Sequence, residues 1–127
     1  MNKKIIKIMA ACIITMVLVC NGMSDICYAM NKTEIGRADA GEASVVASIT
    51  ANGTKTSCNA SSSETSDFKV VGCVYGSTAY SEYTHSAYQT SSCSFGDNWA
   101  FVVTYAQAQF EVSGYSGYCE INVRIEE

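Results

Sequence analysis

The last strand-length stretch of the chain alternates without a fault. Cys119, Ile121, Val123 and Ile125 are apolar; Glu120, Asn122, Arg124 and Glu126 between them are polar. A period of two places one set on a buried face and the other in water, the signature of a half-buried β-strand. The same period runs from Ala43, with Val45, Ala47, Ile49 and Ala51 against Ser44, Val46, Ser48 and Thr50. Asn52-Gly53 follows, a strong hairpin signal because both residues accept positive φ. A two-residue turn there pairs Ile49 with Thr56, Ala47 with Cys58 and Val45 with Ala60, and turns Cys58 inward. Beyond it we expect a return strand from Thr54 to Ala60 and a polar loop over 61–66. A valine-rich strand from Phe68 to Tyr75 and a strand around Ala87–Ser94 come next. Trp99–Val112 is long enough to need a bulge or bend, and a glycine-containing connection spans Ser113–Gly117.

Residues 30–127 show no apolar stripe at helical spacing, and valine, threonine and tyrosine favour strands. The expected fold is all-β, a small antiparallel β-sandwich of about six strands. Residues 43–127 form its single domain, and 30–42 a flexible N-terminal arm. Proline is absent, so the edges need charge, and Lys55 and Lys69 are placed to supply it.

The N-terminus reads as an export leader. Lys3, Lys4 and Lys7 precede an apolar run from Ile8 to Cys20, and Cys27-Tyr28-Ala29 has the small residues of a cleavage site. Cleavage after Ala29 leaves 98 residues with five basic and eleven acidic side chains, a net charge of −6. Such a surface repels nucleic acid, and no second segment has membrane-spanning length. The expected location is extracellular. Leu18-Val19-Cys20 is similar to a lipoprotein box and makes lipid anchoring at Cys20 the alternative, although Val19 is larger than the residue such boxes carry. Cleavage also removes Cys12, Cys20 and Cys27 and leaves Cys58, Cys73, Cys93 and Cys119. Four cysteines in a short exported chain suggest two disulfides. Three pairings are open, with Cys73–Cys93 and Cys58–Cys119 favoured.

The inventory for catalysis is thin. His85 is the single histidine. A serine triad would need it with Asp67 or Asp97, and no G-x-S-x-G elbow is present. Glu82, Asp97, Glu111 and Glu120 are the acids for a carboxylate pair, with no spacing that singles two out. No zinc-type spacing, calcium loop or phosphate loop occurs. We therefore expect no enzyme, no metal and no cofactor.

The distinctive segment is Tyr75–Tyr88. It carries Tyr75, Tyr80, Tyr83 and Tyr88 with Ser77, Thr78, Ser81, Thr84, His85 and Ser86. Tyrosine with serine is the chemistry of recognition surfaces, since a tyrosine offers a large amphipathic face at little entropic cost. The run Tyr75-Gly76-Ser77-Thr78-Ala79-Tyr80-Ser81-Glu82-Tyr83-Thr84-His85, with Trp99-Ala100 after it, resembles the lactococcin 972 family of secreted bacteriocins. The resemblance covers 26 of the 98 residues. It implies an exported β-sandwich that binds the cell-wall precursor lipid II and blocks septum formation in related bacteria. Four cysteines, an extra N-terminal hairpin, the short spacing from His85 to Trp99 and a long last strand depart from that pattern.

The candidate binding residues are thus Tyr75, Tyr80, Tyr83, His85, Tyr88 and Trp99. The expected function is that of a secreted, non-enzymatic, bacteriocin-like antibacterial acting on a cell-envelope component. The alternative is a secreted interaction or adhesion module for host protein or glycan, and a small hydrolase using His85 is the third reading.

Overall fold

A computed structural model describes residues 29–127. Six antiparallel strands make one sheet: β1 (Asn31–Ala40), β2 (Ala43–Asn52), β3 (Lys55–Tyr75), β4 (Tyr80–Asn98), β5 (Tyr105–Gly114) and β6 (Tyr118–Glu126). The leader and the cysteine of the lipoprotein box lie outside the described residues. Among those residues, no helix is long and apolar enough to cross a membrane.

The sheet is organised by β3. One edge of this 21-residue strand pairs with β4 along most of its length. Its other edge pairs with β2 over Lys55–Ser62 and with β5 over Ser66–Tyr75. Between these stretches the β3–β4 register slips, at Ser61/Ser66 and again at Ser66/Phe68. Gln89, the one described non-glycine residue with positive φ (55°), sits opposite this slip, and Asp67 Oδ1 accepts a 2.9 Å hydrogen bond from its N–H. Bulges bend strands, and here the bend folds the long hairpin in half. The six residues Trp99–Thr104 join the two ends: the Trp99 N–H donates to the Thr54 carbonyl and the Thr104 N–H to that of Tyr75. A straight 21-residue strand would hold those ends about 70 Å apart; six residues reach at most about 20 Å.

Two arms result. One holds β1, β2 and the halves of β3 and β4 nearest Lys55; the other holds the remaining halves with β5 and β6. Their inner faces form the core, where Val45, Ile49, Cys58, Phe68, Val70, Val74, Val103, Phe110, Val112 and Ile125 are the largest fully buried side chains. On the side away from the bend, β1 approaches β6. Lys32 Nζ donates to the Glu126 carbonyl, and Gly36 lies so close to Ile121 and Val123 that a Cβ there would collide with them. The sheet therefore nearly closes into a barrel.

Four expectations are corrected. The 30–42 stretch is no loose arm: β1 pairs with β2 at ten positions. The hairpin turn centres on Gly53-Thr54, one residue later than expected, with Gly53 at φ +66°. Register therefore moves by two, and Ile49 faces Cys58 while Ala47 faces Ala60; an even shift preserves the faces, so Cys58 still points inward. The polar 61–66 loop is instead the bent middle of β3, because hydroxyl side chains suit a strand where it crosses from one arm to the other. Lys55 and Lys69 lie on a strand paired on both sides, so they guard no edge.

The four cysteines are free thiols. Cys73 and Cys93 belong to opposite faces. Cys93 shares the inward parity of Phe95, whereas Cys73 lies beside the core residue Val74 and shares the outward parity of Val71 and Tyr75. The favoured bridge between them is incompatible with this register. Cys58 lies between Ile49 and Phe95, and Cys119 faces Val112 on β6, so each sits in a different hairpin.

Candidate functional site

The bend divides the six candidate residues by parity. Along β4 the odd positions face inward and the even ones outward on either side of the bend, where Thr90 turns inward instead. Tyr83 sits opposite Gly72, His85 opposite Val70, Phe95 opposite Cys58 and Asp97 opposite Thr56. His85 Nε2 and Asp97 Oδ2 lie 2.7 Å apart, although twelve residues separate them on one strand. Extended, that distance would be about 40 Å. The His85 ring stacks on Phe95, with centroids 4.9 Å apart and planes 6° from parallel. Tyr83 lies 6.0 Å from Trp99, whose indole N–H donates to Thr56 Oγ1 at 2.9 Å. Tyr83, His85 and Trp99 are therefore brought together in the crease of β4, half-buried or buried.

Gly72 explains how Tyr83 fits. A Cβ at Gly72 would strike the Tyr83 ring and the Gln107 carbonyl. Without one, the ring crosses β3 and its hydroxyl donates to the Gln107 carbonyl on β5 at 2.8 Å. Burial, and then Cys58 beside it, push the Tyr83 phenol far above its ordinary pKa. Burial likewise pushes the Cys58 thiol up to about 11, offset in part by its hydrogen bond with Tyr83. A thiol so protonated near neutrality is a poor nucleophile. Among the described residues, no hydroxyl hydrogen-bonds the second His85 nitrogen, which a serine triad would require. No group of three metal-ligating side chains occurs among them either.

Tyr75 and Tyr80 point the other way. They end the β3–β4 hairpin as a directly opposed pair; Tyr105 on β5 continues the row and Glu126 on β6 ends it. Ring centroids are 4.8 Å apart for Tyr75–Tyr80 and 5.4 Å for Tyr75–Tyr105, with planes at 60° and 81°. Tyr75 is 42% and Tyr80 51% exposed. The next row across the same face reads Glu82, Cys73, Gln107, Arg124. The Tyr80 hydroxyl donates to Glu82 Oε2 at 2.5 Å, which pushes its pKa up to about 12, and the Tyr105 hydroxyl donates to Gln107 Oε1 at 3.1 Å. A cavity of about 430 Å³ opens between Tyr75 and Tyr105 over Cys73 and Gln107. Tyr88 joins neither group; it stands at the bend, 69% exposed.

Sequence reasoning missed Tyr105 and Gln107. Their signal was present in the alternation of Tyr105, Gln107 and Gln109 with buried Ala106, Ala108 and Phe110. It was hidden because Trp99–Val112 read as one strand, whereas residues 99–104 are the irregular strap between the arms.

The chain matches no protein-family model, no curated protein and no solved structure.

Proposed function

We propose that this chain is a secreted, non-enzymatic binding protein that acts on the cell envelope of related bacteria in the manner of a bacteriocin. The observation that carries the reading is the outward tyrosine row of Tyr75, Tyr80 and Tyr105: large amphipathic rings, exposed at Tyr75 and Tyr80 and half-buried at Tyr105, with polar groups beside them. Tyrosine supplies large amphipathic contact area at low entropic cost, which suits it to recognition surfaces. His85, the one imidazole, is held by Asp97 and Phe95 and so supports a structural part in the crease. In this reading the two arms are the layers of a small β-sandwich. Export would also expose the thiols to oxidation. Cys58 and Cys93 are diagonal neighbours on the inner face of the β3–β4 pair, a separation of about 7–8 Å that only a shift of the strands would let a disulfide span.

The test is direct. Purified protein applied to lawns of related bacteria should clear them and should sediment with washed cells. Neither clearing nor cell binding would overturn the reading. Mass spectrometry of the protein from culture medium, before and after reduction, checks cleavage after Ala29, lipid on Cys20 and the number of disulfides together.

A further inference from the structure

We propose that the cleft of Tyr75 and Tyr105, extended by Tyr80, binds a chain of neutral sugar rings. This deepens the envelope-binding reading and rests on it. The argument begins with shape. Strands in a sheet are about 4.8 Å apart, and the three tyrosines occupy one register row across β4, β3 and β5. Their ring-to-ring steps of 4.8 and 5.4 Å are close to the length of one pyranose residue in an extended polysaccharide. The rings are steeply tilted, and Tyr75 and Tyr105, 81° apart in plane, wall a cleft of about 430 Å³ beside Tyr80. That volume lies within the range of small-ligand sites.

The chemistry agrees. A pyranose ring offers C–H faces to aromatic rings and hydroxyls at its rim. Beside the tyrosines, the Gln107 amide nitrogen and Glu82 Oε1 have no partner among the described residues, because the bonds to Tyr105 and Tyr80 use Gln107 Oε1 and Glu82 Oε2. One donates and the other accepts, which suits a hydroxyl that can do both. The next row on this face continues with Thr84, Gln109 and Asn122 around Val71, polar and uncharged.

Charge and composition argue against other occupants. An anionic polymer would be repelled by a chain carrying six more acids than bases after the leader. A protein partner wants an apolar interface core, and beyond the tyrosines only Cys73 and Val71 are apolar in the central rows.

The test uses the purified protein with washed chitin, cellulose and peptidoglycan sacculi stripped of protein and anionic polymer, and in parallel with intact cells. We expect retention on at least one polysaccharide. Tyr75→Ala and Tyr80→Ala should each weaken it tenfold or more, Tyr75→Phe should retain most of it, and Tyr115→Ala, fully exposed at the β5–β6 turn, should leave it unchanged. Circular dichroism of Tyr80→Ala checks that the fold survives. No retention on any polysaccharide, or retention that survives both alanine variants, overturns the proposal. Binding to intact cells without binding to stripped polysaccharide overturns the sugar ligand and leaves the envelope reading standing. Loss of both removes both.

Discussion

Two groups of aromatic residues within one segment of sequence meet opposite fates. Tyr83 and Trp99 turn into the crease of β4, where each hydroxyl or indole N–H finds a partner and each ring is packed. Tyr75 and Tyr80 turn outward, at least two-fifths exposed, and the Tyr80 hydroxyl donates sideways along the face to Glu82. Residue type does not separate the groups. Strand parity does, because successive side chains leave a strand on opposite sides. Ring area therefore stabilises the fold in one group and stays available to a ligand in the other.

That contrast can be broken by mutation. Tyr83→Ala should have the largest effect on stability, about 3–5 kcal/mol for loss of a buried aromatic ring, read from urea unfolding. A loss below about 1 kcal/mol would mean the crease is not a packed core. Gly72→Ala should cost about 1–3 kcal/mol by overpacking against Tyr83 and the Gln107 carbonyl, and pairing it with Tyr83→Ala should recover part of that loss. Recovery within error of zero would show that the two residues do not share the space.

Asp97→Ala should cost about 1–2 kcal/mol, a charge-assisted hydrogen bond discounted because both partners remain about one-quarter exposed. The loss should shrink in the His85→Ala background, since the pair holds the two halves of β4 together. Full additivity would dissolve the latch.

Alkali should act through the crease. The Cys58 thiol has its pKa raised from 9.0 to about 11 by burial. From pH 9 upward the unfolded chain gives up this proton while the folded chain keeps it, so stability is complete below pH 9 and falls as pH rises towards 11. Thermal unfolding across that window should show the decline, and Cys58→Val should flatten it. An unchanged slope in the variant would assign the decline to other groups. The outward row should matter least to stability: Tyr80→Ala should shift unfolding by no more than about 0.5 kcal/mol, and a larger loss would place Tyr80 with the packed group.

Much of the fold was legible. Alternation over β2 and β6 identified the inward residues correctly, and an even register shift at the Gly53-Thr54 turn could not disturb them. The 30–40 strand was not legible, because β1 is mostly exposed and carries little hydrophobic pattern for a reader to find. The crease was not legible either. Nothing local marks Ser61–Ser66 as a corner, since serine and threonine serve loops and strands alike, and the bend depends on register slips between two distant stretches. Of the six candidate residues, three entered the crease, two joined the outward row and Tyr88 joined neither; Tyr105 came from Trp99–Val112, a stretch expected to need a bulge or bend.

By itself the sequence determined the all-β class, which side chains of β2 and β6 face inward, and, to within a residue or two, where the β2–β3 and β5–β6 hairpins turn. These follow from a period of two and, at the β2–β3 turn, from the freedom of Gly53 at positive φ, both local properties. Only the tertiary structure decided that β3 and β4 fold in half, that His85 meets Asp97, and that Tyr105 stands beside Tyr75. Those contacts depend on how strands twelve to thirty residues apart align and bend, and the interactions that set that alignment exist only once the arms have closed on each other.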